Sequence, residues 1–261
     1  MIQEINFHIK ELDTMKKYPK ELFYIGDTSL LQRKKISIIG SRKPNQYARN
    51  ITTELASKLS LAGVCIVSGG AIGVDAISHK AAKSNNTIVV AATGLDKRYP
   101  AINAKLIEDV EKHGLLLSQF KKGSPSTKYN FVLRNEVVVA LGDILVVTYA
   151  DLNSGSMRSV EFALKMGKEV YVLPHRIGES EATNKLLLEG KAKAIYDIDA
   201  FVDLFSDFEA IKHKEEDEFL LFCKTNPTYD AALLKFPTRV FEAELSGEIE
   251  MKNGLISIAL N

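Results

Sequence analysis

From residue 35 onward, short apolar runs alternate with longer segments whose apolar positions fall three or four residues apart. KISIIG at 35–40 is an apolar run closed by glycine and predicts a buried parallel strand. Ile51, Leu55, Leu59 and Ala62 place one apolar stripe on a helix over 46–62, and Gly63 ends it. The alternation continues with strands at 64–67, 87–92, 115–117, 144–149 and 169–173. Helices are expected at 74–84, 101–113, 131–141, 157–166 and 181–189, with an edge strand at 194–196. Strand–helix alternation at this spacing predicts an α/β fold, a doubly wound, mostly parallel, extended Rossmann-like sheet over 35–205.

The flanks read differently. Residues 1–34 are a mixed lead-in with turn signals at Tyr18-Pro19 and Gly26-Asp27. Residues 206–218 are a charged linker or a solvated helix face. Helical stretches at about 217–224, 229–235 and 238–246 precede two alternating strands around Asn253-Gly254, a hairpin signal. Three short helices and a hairpin predict a small winged-helix-like domain over 219–261.

Composition removes whole classes. The chain has 261 residues, 46% of them apolar and 26% charged, which excludes a disordered, collagenous or disulfide-scaffold protein. Cys65 and Cys223 show no CxxC spacing, and Cys65 sits in an apolar run, so a buried free thiol in a reducing cytoplasm is expected. The N-terminus lacks an apolar signal core, and no stretch reaches the ~18 apolar residues of a membrane span.

In an open parallel sheet, ligands bind beyond the carboxyl ends of the strands. Gly40-Ser41-Arg42 follows the first strand, Ser68-Gly69-Gly70 with Gly73 the second, and Ser154-Gly155-Ser156 the 144–149 strand. Glycine lets backbone N–H groups approach an anion, serine adds donors and arginine adds a fork. Each loop alone also fits a tight strand-to-helix turn, and no Walker lysine follows the glycines. Together on one rim they predict a phosphate or nucleotide site. Asp75 reads as a loop-bracing carboxylate, and a catalytic pair with His79 is disfavoured because no nucleophile motif accompanies it. The histidines show no metal-ligand spacing, so neither a metal nor a cofactor is expected. A second candidate is the basic stretch 121–135, where Lys128 suits phosphates and Phe131 either stacks on a base or joins the core.

The motifs IIGSR (38–42), VSGGAIGVDAISH (67–79), GLDKRYP (94–100), KYNFVLRN (128–135) and SGSMRS (154–159) resemble, in order and spacing, the DprA (Smf) family of bacterial DNA-processing proteins. The resemblance covers roughly 36–195. It implies a non-enzymatic, sequence-independent single-stranded DNA binder that protects incoming DNA in natural transformation. It also implies a homodimer that loads the RecA recombinase. Arg42 and Lys128 would hold phosphates, Phe131 would stack on a base, and Arg134 and Asn135 would share that surface. Ser41, Gly69 and Gly70 would supply donors. The chain departs from the family pattern at Gln119 (usually Glu), Val132 (usually Pro) and His175 (usually Gly), and has Ser78 before His79. The 219–261 segment resembles the family's winged-helix module, whereas its optional N-terminal helical module has no counterpart.

The net charge of +1 argues against nucleic acid until the chain is split. Residues 206–261 carry 6 basic and 11 acidic side chains, a balance of −5, which leaves +6 on residues 1–205. An acidic winged helix reads duplex DNA poorly, so a protein-interaction module is expected there. The rival reading is an enzyme, a nucleoside-monophosphate phosphoribohydrolase of the lysine-decarboxylase-like family. Its PGGxGTxxE signature is missing, and the nearest segment is Ser154-Gly155-Ser156 with Glu161. A small-nucleotide sensor is the third.

Overall fold

The computed structural model describes residues 1–205, 218–223, 225–246, 248–252 and 254–258. Its contacts divide the chain into two units, Met1–Asp207 and Phe208–Asn261.

The first unit is built on nine strands: β1 Gln3–Glu4, β2 Phe23–Gly26, β3 Lys35–Ile39, β4 Cys65–Ser68, β5 Thr87–Val90, β6 Leu115–Ser118, β7 Ile144–Val147, β8 Val170–Val172 and β9 Lys193–Ala194. They form one sheet in the order β1-β2-β6-β5-β4-β3-β7-β8-β9. From β6 to β9 every pairing is parallel, whereas β1 and β2 are antiparallel additions beside β6. Helices α1 Gln46–Leu61, α2 Val74–Ala82, α3 Ala104–His113, α4 Lys128–Leu141, α5 Gly155–Lys165, α6 Glu181–Leu188 and α7 Ile198–Asp203 connect or follow the strands.

The central strands are buried throughout because both sheet faces are covered. Their alternation divides the core. Leu145 and Val147 pack with Val137–Leu141 of α4, whereas Ile144 and Val146 pack with Leu55 and Leu59 of α1. Cys65 is fully buried, and burial pushes its thiol up to about 12.

Several boundaries differ from the pattern-based expectation. The 131–141 helix begins at Lys128, because Thr127 Oγ1 accepts the Asn130 N–H at 3.1 Å and caps it there. The 157–166 helix begins at Gly155, the 87–92 strand ends at Val90, and the 194–196 strand is Lys193–Ala194. Residues 1–34 supply β1 and β2 to the sheet, and Leu12, Leu30 and Leu31 enter its core.

In the second unit, α8 Glu218–Cys223, α9 Tyr229–Lys235 and α10 Pro237–Ser246 precede an antiparallel pair, β10 Ile249–Lys252 and β11 Leu255–Ile258. Phe219, Cys223, Ala232, Val240, Ala243, Ile249 and Ile256 form its core. Residues 206–217 of the expected 206–218 linker and Asn253 of the expected turn lie outside the described residues, and Glu218 opens α8. Among the described residues, no helix is long and apolar enough to cross a membrane, and no group of three or more His, Cys, Asp or Glu could hold a metal ion.

Candidate nucleic-acid interface

The order in which successive strands are added across the sheet reverses at β3, which has β4 on one side and β7 on the other. This is the topological switch point, where the loops part and leave a crevice. A cleft of about 400 Å³ opens there. Gly40, Ser41 and Arg42 from the β3 loop, Gly69 from the β4 loop, and Ser154, Gly155 and Ser156 at the start of α5 all line it. Phe131, Arg134 and Asn135 of α4 complete the wall. Spacings of three and four residues set these three side chains on one helix face.

The β3 loop is fixed by backbone bonds. The Ser41 N–H donates to the Tyr149 carbonyl at 2.7 Å, and the Val74 N–H donates to the Ser41 carbonyl at 3.1 Å. Gly73 makes that approach possible: with φ at +83°, a Cβ there would stand 2.4 Å from the Ser41 carbonyl oxygen.

Not every expected phosphate-loop residue reaches the cleft. Ser68 is a fully buried strand residue whose hydroxyl donates to the Ile38 carbonyl at 2.6 Å and also faces Asp75. The Gly70 carbonyl accepts from Asn103 Nδ2 at 3.0 Å. Ser68, Gly70 and Gly73 therefore shape the loop and do not line its open side. The β4 loop contributes Gly69 and Ala71 to the lining.

Arg134 also departs from a simple surface cation. It is 4% exposed, and Nη1 donates to the Val90 carbonyl at 3.2 Å and lies 4.0 Å from Asp75 Oδ2. Burial pulls its guanidinium below the usual arginine range, against the Asp75 charge that holds it up. Burial pushes the Asp75 carboxyl up, against the Arg134 charge and the N–H groups of Ala71 and Gly69. Asp75 is thus the bracing carboxylate expected, with Arg134 as its counter-charge. Two polar atoms in this region have no protein partner although they are buried: Arg134 Nε and Ser154 Oγ.

Phe131 is half-buried between cations. Arg42 Cζ lies 5.5 Å and Arg134 Cζ 5.7 Å from its ring centre, and the Tyr99 ring is 6.0 Å away. Lys128 stands outside the main cleft, on a shallower groove that it lines with Arg42, Phe131, Asn135, Gly155 and Arg158. Sequence reasoning assigned no role to Arg158, Lys43 or Tyr99. Arg158 lies inside the SGSMRS motif, one turn from the α5 start, and that spacing is the available signal.

His79 does not line the cleft. It is fully buried, and burial, with help from the Arg134 charge, lowers it to about 3. Thr87 Oγ1 donates to the Ile66 carbonyl, so His79 Nδ1 donates to Thr87 Oγ1 at 2.7 Å. Glu161, the nearest counterpart of the hydrolase signature's carboxylate, is exposed on α5 and does not line the cleft.

The sequence profile of the family described as DNA recombination-mediator protein A matches residues 4–206. The DNA processing protein DprA of Bacillus subtilis is 33% identical over 193 residues, which is 72% of this chain and 64% of that protein. Protein Smf of Escherichia coli is 34% identical over 70% of this chain and 50% of its own length. The chain thus spans about half to two-thirds of these relatives. The structure of DNA processing protein A from Helicobacter pylori, described for its single-stranded DNA binding mode, superposes with a TM-score of 0.76 and 40% identity, covering 78% of this chain and 94% of that one. DprA from Streptococcus pneumoniae superposes with a TM-score of 0.73 and 30% identity, covering 79% and 75%.

Proposed function

The chain belongs to the DNA recombination-mediator protein A family, and from that premise we propose that it binds single-stranded DNA without sequence preference, through the cleft at the β3–β7 switch point. The observation that carries the reading is Phe131 with Arg42 and Arg134 on its ring, beside the Ser154–Ser156 start of α5. Cations and a helix N-terminus suit phosphates, and a ring suits an unpaired base. The H. pylori relative, 40% identical, supports the same ligand.

In this reading the protein acts without catalysing a reaction. It protects incoming DNA and loads RecA recombinase during natural transformation, in the cytoplasm and as a homodimer. Residues 35–205 form the DNA-binding domain, residues 206–218 a linker, and residues 219–261 a winged-helix-like module for protein contacts.

Fluorescence anisotropy with labelled oligo-dT and a matched duplex, titrated with salt, tests the core of this reading. Single strands should bind more tightly, with affinity falling as salt rises. Equal affinity for duplex, or a preference for AMP over oligo-dT, would overturn it. RecA loading is read from filament formation on single strands already coated with the protein, and the dimer from light scattering.

A further inference from the structure

We propose that a second, aromatic cleft on the far side of the β3 loop takes a further nucleotide of the same single strand; this rests on the reading of the first cleft as a single-stranded DNA site. Gly40–Lys43 line the first cleft, and Asn45, Gln46 and Tyr47 line the second, an opening of about 630 Å³ completed by Pro174, His175, Arg176 and Glu179. Lys43 and Asn45 are two residues apart, so the clefts lie within about 7 Å of each other along the chain. Both stand at the carboxyl ends of strands, one after β3 and the other after β8.

The second cleft brings together two rings, Tyr47 and His175, with one cation, Arg176, and one carboxylate, Glu179. Tyr47 is 44% exposed, and its ring meets His175 edge-on at 5.4 Å. Tyr149 meets His175 from another side at 5.2 Å, and its carbonyl is the acceptor that fixes Ser41. One residue therefore supports both clefts. The His175 ring is held in place: Nε2 donates to the Thr148 carbonyl at 2.8 Å, and the His175 N–H donates to Asn184 Oδ1 at 3.1 Å. That leaves His175 Nδ1 buried without a protein partner.

Arg176 is the group in this lining that suits a phosphate. Arg176 is exposed beside the rings, Lys43 stands across the loop, and the Glu179 carboxylate already accepts from Asn45 Nδ2 at 3.1 Å. Alternating rings and cations are the means by which a groove tracks an unpaired strand. His175 is also one of the positions where this chain departs from the motif it otherwise resembles, so the ring cluster is its own feature.

The test uses the full chain, the mononucleotide dTMP and a ladder of labelled oligo-dT from four to sixteen nucleotides. Tyr47→Leu and Arg176→Ala should bind dTMP as the wild type does but bind dT16 about 10-fold more weakly, the loss expected for one stacked base. Tyr47→Phe should restore the long-strand affinity, and His175→Gly should reduce it. Arg42→Ala should weaken every length. If Tyr47→Leu and Arg176→Ala match the wild type at all lengths, or weaken all lengths equally, the second cleft is not a separate subsite. If Arg42→Ala also matches the wild type at all lengths, the reading of the first cleft fails instead. Melting temperatures of each variant separate either result from misfolding.

Discussion

The guanidinium of Arg134 fills the space that a side chain on Gly69 would need. A Cβ on Gly69 would lie 1.4 Å from Arg134 Nη1 and 2.3 Å from Cζ. The glycine-rich loop after β4 thus serves an arginine as much as an anion. With Gly69 bare, Arg134 reaches the Val90 carbonyl and Asp75 and stands on the cleft wall.

Gly69→Ala should therefore act through Arg134. The methyl group forces the guanidinium off the Val90 carbonyl, and overpacking at a buried position costs about 1–3 kcal/mol. Urea denaturation should show that loss, and oligo-dT affinity should fall by more than 10-fold, since Phe131 loses one of its cations. Unchanged stability and binding would mean that the loop shifts to admit the methyl group.

Much of this was legible in the sequence, and what was missed has physical reasons. β3, β4, β5 and β7 are fully buried because both sheet faces are covered, and a mostly apolar run without an alternating polar face is the signal such strands leave. β1 and β2 left no comparable signal: Phe23–Gly26 is half-buried at the sheet margin and Gln3–Glu4 is exposed. In the site, residue types marked the rim but not their depth. Arg42 and Arg134 look equivalent in the motifs, yet one is exposed and the other buried with a counter-charge. Ser68 reads as a loop donor, but β4 extends one residue further than its apolar run and takes it into the sheet. The cluster of Tyr47, Tyr149 and His175 joins three distant segments, which no local pattern reveals.

The Arg134–Asp75 pair predicts a pH-dependent mutant. Burial already raises Asp75 above its ordinary 3.8, and Arg134 opposes that rise. A carboxylate raised in the fold binds its proton more tightly when folded, so its stabilising contribution is present at low pH and lost as pH rises through the folded value. Arg134→Met should push Asp75 further up. The variant should lose about 3–5 kcal/mol at neutral pH, the usual cost of stripping one partner from a buried pair, and less at acidic pH, where Asp75 is neutral. Adding Asp75→Asn should flatten the difference. Chemical denaturation of the three proteins from pH 4 to 8 checks this. A pH-independent loss in Arg134→Met would point to packing alone.

His79 predicts the acid limb. Its folded value, about 3, lies below the ordinary 6.5, so the fold favours the neutral ring. That contribution is complete above pH 6.5 and is lost as pH falls toward 3, at about 1.4 kcal/mol per pH unit. His79→Gln replaces the ring with a side chain that does not titrate. Stability should be lower than wild type at pH 7 but fall less steeply between pH 6 and 4, as measured by denaturant midpoints. Parallel profiles would show that His79 is not the group that titrates.

Deleting residues 206–261 should leave single-strand binding within about twofold of the full chain and leave its salt dependence unchanged. Duplex affinity arises from cations that neutralise phosphates, and this segment has few to offer. In α10, Arg239 is paired with Glu248, and the outward positions Thr238, Phe241 and Glu242 include no cation. In α9, Lys235 lies over the Phe222 and Phe236 rings at 5.1 and 5.0 Å. The basic balance stays with residues 1–205, where the proposed strand site lies. Anisotropy against oligo-dT and a matched duplex, for the full chain and for residues 1–205, checks this. A truncated protein that loses most of its DNA affinity would assign the second unit a direct role on nucleic acid, against its charge.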